Sequence, residues 1–337
     1  MMKVFLLIPA FILSLILSNL LCAKEVDAPS HEQNTQSADV TVGMFVTNLF
    51  DINFSKSEFK TEFWAWFLTQ DPNYSPSERT EIVNSKNFNI RNATTEKIGD
   101  FYWHSIVFKG TVKQEWNVQS FPFDKQTLQI HLEDTIDIRE DLAFKLDPSS
   151  NVARDLIPEG WQMESFNIST QPNTYPTTFG DPRVGADSEY TFDRITATIV
   201  MKREGLRVFA TTFIGFFVAT LFVALVMVVN MSNHFLPAIP LQPRVTLCAG
   251  ALFASVGGLY GLENKLPYTT AFTLADSIQL TTFISIALAI TGSLIADITS
   301  KHELVKLRSI LLKIVFSIFI IGHIGVNTVV IYNAVSS

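Results

Sequence analysis

The sequence predicts an all-β, immunoglobulin-like sandwich followed by a four-helix transmembrane bundle. Across residues 40–201, short apolar or aromatic alternations recur between breaks of Pro, Asn, Asp and Gly, the period-two pattern of half-buried strands. Beyond them lie four apolar runs, at 206–230, 245–262, 271–295 and 309–332. Each reaches or approaches the length that crosses a hydrocarbon core of roughly 30 Å at about 1.5 Å per helical residue. Composition agrees, with 47% hydrophobic and only 17% charged residues.

The chain opens on Met1-Met2-Lys3, an apolar run over 4–21 and the small Ala23. This reads as a secretory signal over 1–23, with a retained anchor as the alternative, and a polar linker follows over 24–38. Leu21 before Cys22 is too large for a lipoprotein site. The other cysteine, Cys248, lies in an apolar run, which leaves no disulfide for an exported domain.

Residues 39–204 form the expected β domain. Segments 59–64, 101–108, 127–132, 161–168 and 192–201 read as strands, and long amphipathic helices are missing between them. Trp64 and Trp66 alternate and so share a strand face, which reads as core. The excess of acids, 32 against 25 Lys and Arg, argues against a nucleic-acid partner. The six histidines lack metal-ligand spacing, and neither a phosphate-cradling Gly loop nor a nucleophile elbow occurs. No enzyme, cofactor or metal site is expected.

Residues 205–337 form the expected membrane domain. Lys301, His302, Lys306 and Arg308 fall between the third and fourth spans, which places that loop in the cytoplasm. Both mature termini then lie outside. Lys202, Arg203 and Arg207 run against the positive-inside rule, so a function is expected for them. In the second span, Thr246, Gly250, Phe253, Gly257 and Tyr260 recur at spacings of four, three, four and three and share a helix face. That face suits a water path. Equally, glycines at 250, 257, 258 and 261 suit close helix packing, with Gly257 and Gly261 at GxxxG spacing.

Phe121-Pro122-Phe123-Asp124, with Gln126 two residues on and four spans behind it, resembles the signature loop of the pentameric ligand-gated ion channels, the Cys-loop receptor superfamily. Gln114 and Leu128 stand where the animal receptors carry bracketing cysteines, which resembles the prokaryotic, cysteine-free branch. Glu263-Asn264-Lys265-Leu266-Pro267-Tyr268 resembles the turn after the pore helix. The likeness extends from residue 40 to the C-terminus. Two features depart from it: the stretch 66–99 is short and lacks a Trp-x-Pro strand, and the first span lacks its proline.

The resemblance implies a homopentamer in a bacterial inner membrane, conducting inorganic ions in response to a small-molecule agonist or protons. Thr246, Gly250, Phe253, Gly257 and Tyr260 would line the pore, with Glu263 at its outer mouth and Gln242, Pro243 and Arg244 at its inner mouth. Glu263 favours cations, whereas Arg244 turned into the lumen would favour anions. Phe121, Pro122, Phe123 and Asp124 would couple the domains with Arg203, Pro267 and Tyr268, and Asp276 would lie about two turns into the third span. Trp64 and Trp66 would form the complementary wall of the agonist site, facing Glu133 and the hairpin residues Tyr175, Phe179 and Tyr190. An aromatic box of this kind suits a cationic amine. The competing expectation is a non-conducting membrane sensor with an exported binding domain.

Overall fold

A computed structural model describes residues 38–182, 185, 188–231, 239–263, 265–267, 269–301 and 305–336. The signal at 1–23 and nearly all of the linker lie outside the described residues, as does Tyr268.

Among the described residues, ten strands form two sheets: β1 (Ala38–Asn53), β2 (Glu58–Thr69), β3 (Thr80–Ile82), β4 (Ser85–Ile98), β5 (Phe101–Lys113), β6 (Lys125–Asp134), β7 (Leu142–Leu146), β8 (Asn151–Val152), β9 (Trp161–Tyr175) and β10 (Tyr190–Arg203). One sheet has the order β4-β5-β2-β1-β7, with β8 also on β1, and the other has the order β3-β6-β10-β9. Alternation does the sorting. Along β2, Phe59, Thr61, Phe63, Ala65 and Phe67 are buried, while the residues alternating with them are more exposed. They meet Val40, Val42 and Met44 of β1 and Leu128, Ile130, Ile195 and Ile199 of the second sheet in one apolar cluster. Each fully buried phenylalanine contributes about 1.5–3 kcal/mol relative to exposure.

A short helix α1 (Pro76–Arg79) lies between β2 and β3. The membrane domain follows β10 almost at once: α2 (Gly205–Thr212), α3 (Ile214–Met231), α4 (Leu241–Glu263), α5 (Leu274–Lys301), α6 (Val305–Phe319), a π-helical segment (Ile320–Gly325) and α7 (Val326–Ser336). Among the described residues, four segments are long and apolar enough to cross a membrane, with mean hydropathies of 2.5, 1.7, 1.8 and 2.2. The chain is therefore read as an integral membrane protein. Their large exposed side chains, Leu221 and Ile321 among them, suit a lipid surround.

The first span bends without a proline. Phe213 leaves helical geometry (φ −94°, ψ 7°), yet Phe213 N–H donates to Phe209 O at 3.0 Å and Phe217 N–H to Phe213 O at 3.1 Å. Just past the bend, Gly215 is required: a Cβ there would lie 2.5 Å from the Ala254 carbonyl oxygen.

Two helix starts differ from the hydropathy pattern. Helix α4 begins at Leu241, so Gln242, Pro243 and Arg244 stand on its first turn, where a proline lacks no needed donor. Helix α5 begins at Leu274. Thr273 N–H and Oγ1 donate to Asp276 Oδ2 at 2.8 and 2.7 Å, and Asp276 N–H donates to Thr273 Oγ1 at 3.2 Å. Asp276 is thus the carboxylate of a capping box in the first turn rather than an acid two turns deep.

Candidate functional site

The loop at Phe121–Asp124 lies between the two domains. Its Phe121–Pro122 peptide is cis. Asp124, with a side chain 1% exposed, accepts from Arg203 Nε at 2.8 Å and Nη2 at 3.1 Å, and from Gln126 Nε2 at 2.6 Å. Arg203 N–H also donates to the Asp124 carbonyl at 3.1 Å, because β10 runs beside β6 to this point. Trp161, Phe54 and Phe121 surround the guanidinium, with ring centroids 4.1, 4.7 and 5.1 Å from its carbon. Such a sheath lowers the local dielectric and strengthens both the pair and the cation–π attraction. Lipid-facing snorkelling is excluded for Arg203 by this burial; Arg207, by contrast, is exposed.

The loop also grips the helices. Phe123 packs against Phe209 at 5.4 Å, and Gly205 is needed because a Cβ would lie 2.2 Å from the Pro122 oxygen. Leu274 N–H at the head of α5 donates to Gln119 O at 2.9 Å. Phe121, Val118, Phe213, Leu262 and Leu274 share one buried cluster. Pro267 lines a cavity of about 390 Å³ with Leu259, Leu262, Thr273 and Asp276.

Helix α4 has two unlike faces. Arg244, Cys248, Ala251 and Ser255 are buried against α3 and α5, whereas Gln242, Thr246, Phe253, Gly257 and Tyr260 are exposed. Phe253 is 78% and Tyr260 65% exposed. Gly250 leaves the expected face, and Arg244, whose direction the sequence left open, takes one side. Gly250 turns toward α3, where a Cβ would sit 3.4 Å from Phe222, and Ala249 takes its place on the open arc. Arg244 faces neighbouring helices: its Nη1 donates to Asn230 Oδ1 at 2.9 Å and its Nε to Pro240 O at 3.3 Å. It adds no charge to the open arc. The glycines divide between the two sequence readings. Gly258 packs on Phe216, whose ring would be 2.9 Å from a Cβ, while Gly257 and Gly261 meet nothing within 4 Å. Glu263 ends α4, and its side chain lies outside the described residues.

A cavity of about 640 Å³ opens beside the β9–β10 hairpin. It gathers Glu133, Tyr175, Phe179 and Tyr190, and adds Phe192, Glu81, Asp134, Asp141 and Asp181. Tyr175, Phe179 and Tyr190 stand edge to face around or beside Phe192, at 5.9, 6.5 and 6.4 Å. Phe179 has φ +52° and is 65% exposed at the rim. Tyr175 Oη donates to Glu133 Oε2 at 2.8 Å, and Arg194 Nε donates to Glu133 Oε1 at 2.5 Å. Burial, then the bond to Glu133, pushes the Tyr175 phenol upward, so it stays a donor. Asp134 is held by Arg79 at 2.6 Å, and Arg79 also pairs with Asp137.

Trp64 and Trp66 do not reach this cavity within one chain. They lie on β2, in the other sheet, and point outward: Trp64 is 40% exposed, and Trp66 Nε1 donates to Asp147 Oδ2 at 2.7 Å. The core reading of these tryptophans is therefore set aside. Burial would lift the Asp147 carboxyl, but bonds from Ser149 and Trp66 outweigh it and hold it below the usual range.

Sequence reasoning missed Glu81, Asp141, Asp181, Phe192 and Arg194. For Glu81 and Arg194 the signal was the pairing of β6 with β3 and β10, which sets Glu133 opposite both. No protein-family model and no curated protein sequence matches the chain, so these sites rest on geometry and chemistry alone.

Proposed function

We propose that the chain is a subunit of a ligand- or proton-gated ion channel, a homopentamer with a pore lined by α4. The carrying observation is the division of α4, whose packed face excludes Arg244 from the arc of Gln242, Thr246, Ala249, Phe253, Gly257 and Tyr260. One helix encloses no water path, but a ring of copies does, and Phe253 and Tyr260 then form apolar constrictions that gate by dewetting. With Arg244 sequestered, no basic side chain lies on that arc, which supports cations as the permeant species.

In this reading the acidic, aromatic cavity is the principal half of an agonist site, and Trp64 and Trp66 of a neighbouring copy supply its other wall. Among the described residues, five acids and no basic side chain line the cavity, with Glu133 and Asp134 paired to Arg194 and Arg79 behind it, and the aromatic, acidic wall fits a cationic amine. The agonist would act on the β9–β10 hairpin, and β10 leads directly to Arg203, Asp124 and α2. The sandwich then resembles an immunoglobulin-like fold, with the β domain and C-terminus outside a bacterial inner membrane.

Single cysteines along α4 in a Cys248→Ala background test the pore. A charged, water-borne thiol reagent is expected to modify Thr246→Cys, Ala249→Cys and Phe253→Cys and to spare Ala251→Cys. Uniform protection of the arc would exclude it as a water path. The second reading, a non-conducting sensor, draws on the two aromatic side chains that would narrow the bore.

A further inference from the structure

We infer that a polar cavity in the β domain, beside β6, binds a tetrahedral oxyanion of the phosphate or sulfate class. Bound there, the ion clamps together two segments that lead to the membrane domain. The inference rests on neither conduction nor the agonist site.

The cavity, of about 500 Å³, lies where the β1–β2 turn, the β3–β4 turn, the end of β5 and the middle of β6 meet. Hydrogen bonds build its frame. Asn84 Nδ2 donates to Gln129 O at 2.9 Å, and His131 N–H donates to Asn84 Oδ1 at 3.1 Å. Lys113 N–H donates to Asn84 O at 2.8 Å, and Gln114 N–H to Ser57 O at 2.9 Å. Four segments distant in sequence are thereby held in fixed relation.

The lining is basic in a chain whose net charge is −7: Lys56, Lys86 and Lys113 stand against one acid, Glu115. Lys86 is committed, with Nζ donating to Glu58 Oε2 at 2.6 Å and to Lys56 O at 2.9 Å. Lys56 and Lys113 make no ion pair among the described residues. His131 Nδ1 lies 3.0 Å from Thr196 Oγ1, which leaves Nε2 as the ring's remaining polar atom. An anion beside the ring selects the tautomer in which Thr196 donates to Nδ1 and Nε2 carries the proton. Two ammonium groups and an imidazole N–H, brought in by three segments, match an acceptor whose oxygens diverge. Hydrogen bonds between ionised partners are about twice as strong as neutral ones.

The wall also selects for size. Among the described residues, every side chain lining the cavity is polar or charged. Nothing there seats an acyl chain or stacks on a nucleotide base, whereas a compact oxyanion with bridging water finds donors throughout. Its position gives it a consequence. Lys56 stands two residues after Phe54 and Lys113 three before Trp116, and those two rings stack at 4.5 Å. Phe54 in turn covers the Arg203 guanidinium at 4.7 Å. An oxyanion bridging Lys56 to Lys113 therefore tightens the stack that flanks the Asp124–Arg203 pair.

The test uses the purified full chain in phosphatidylcholine nanodiscs, dialysed to equilibrium against radiolabelled sulfate and, in parallel, phosphate, with chloride holding the ionic strength constant. Saturable binding of one ion per chain is expected. Lys56→Gln and Lys113→Gln should each weaken it about tenfold, the scale of one charge-assisted hydrogen bond. Lys113→Arg should retain it, and Lys97→Gln, an exposed lysine on the β4–β5 hairpin, should leave it unchanged. In hydrogen exchange, sulfate should slow the amides of residues 54–57 and 113–116 in the wild type but not in Lys113→Gln. Absence of saturable binding, or equal weakening by Lys97→Gln, overturns the site. Saturable binding with unchanged exchange overturns the clamp. Binding by dissociated subunits but not by the assembled oligomer gives the cavity to a carboxylate of a neighbouring copy and overturns the free ion.

Discussion

Asp124 and Arg203 form a bidentate ion pair at 2.8 and 3.1 Å, one side chain 1% and the other 12% exposed, at the point where the last strand becomes the first membrane helix. Because β6 and β10 are neighbours in register up to Lys125 and Lys202, the pair closes the end of one sheet. Because Gly205 follows two residues later against Pro122, the same pair fixes where α2 departs.

Truncating one partner strands the other in a desolvated site. Arg203→Ala is expected to cost about 3–5 kcal/mol of junction stability and to abolish gating while surface expression persists. The double variant Asp124→Ala/Arg203→Ala should lose less than the sum of the singles in a thermal-unfolding cycle. Arg203→Lys should not restore the wild type, since a single ammonium cannot make the two parallel bonds. Additive losses, or normal gating in Arg203→Ala, would remove the pair from the coupling role.

The acidic cavity predicts a second result. Phe179→Ala and Tyr175→Ala are each expected to weaken binding of a quaternary amine about tenfold, from a cation–π contribution of about 1–2 kcal/mol. Isothermal titration against tetraalkylammonium ions measures this. Trp64→Ala should weaken the same ligand only in the assembled oligomer, because within one chain Trp64 lies on the other sheet. Equal weakening in isolated subunits would refute the shared site.

Helix packing gives a third. Gly215→Ala places a methyl 2.5 Å from the Ala254 oxygen, and Gly258→Ala places one 2.9 Å from the Phe216 ring. Each is expected to destabilise the bundle by about 1–3 kcal/mol as overpacking. Gly257→Ala, with open space around it, should leave the thermal midpoint unchanged. A reversed order would mean that Gly257, not Gly258, is the packed glycine.

Acid sensitivity gives a fourth. Burial, then the charge of Arg194, lowers the pKa of His131, whose Nδ1 lies 3.0 Å from Thr196 Oγ1. The folded state therefore binds this proton less readily than the unfolded chain, whose histidine titrates near about 6.5. His131 should cost no stability above that value, and a growing cost should appear as pH falls through it toward the depressed folded value. His131→Gln is expected to show a shallower loss of thermal stability between about pH 7 and about pH 5 than the wild type. Superimposable profiles would show that His131 does not contribute.

Much of the architecture was legible because two periods dominate the chain. Strand β2 alternates cleanly, and the apolar runs at α3 and α5 are long. Strand β4, SKNFNIRNATTEKI, was invisible because it is an almost wholly exposed edge strand with no apolar alternation to betray it. The ends of α4 and α5 depend on Pro243 at a tolerant first-turn position and on the Thr273–Asp276 box, which hydropathy ignores. Asp124 and Arg203 were legible through the resemblance carried by Phe121–Asp124. The orientation of Arg244 was not, since its burial and its bonds to Asn230 on α3 and Ser293 on α5 are tertiary facts.

The most direct test of the account is the current through Phe253→Ala, recorded in voltage-clamped liposomes under a salt gradient. If α4 lines the pore, trimming the 78%-exposed phenylalanine on its open arc is expected to wet the path. A standing leak absent from the wild type should appear, with a reversal potential on the cation side. A well-assembled variant that stays silent would contradict a pore lined by this face and leave the chain as a sensor.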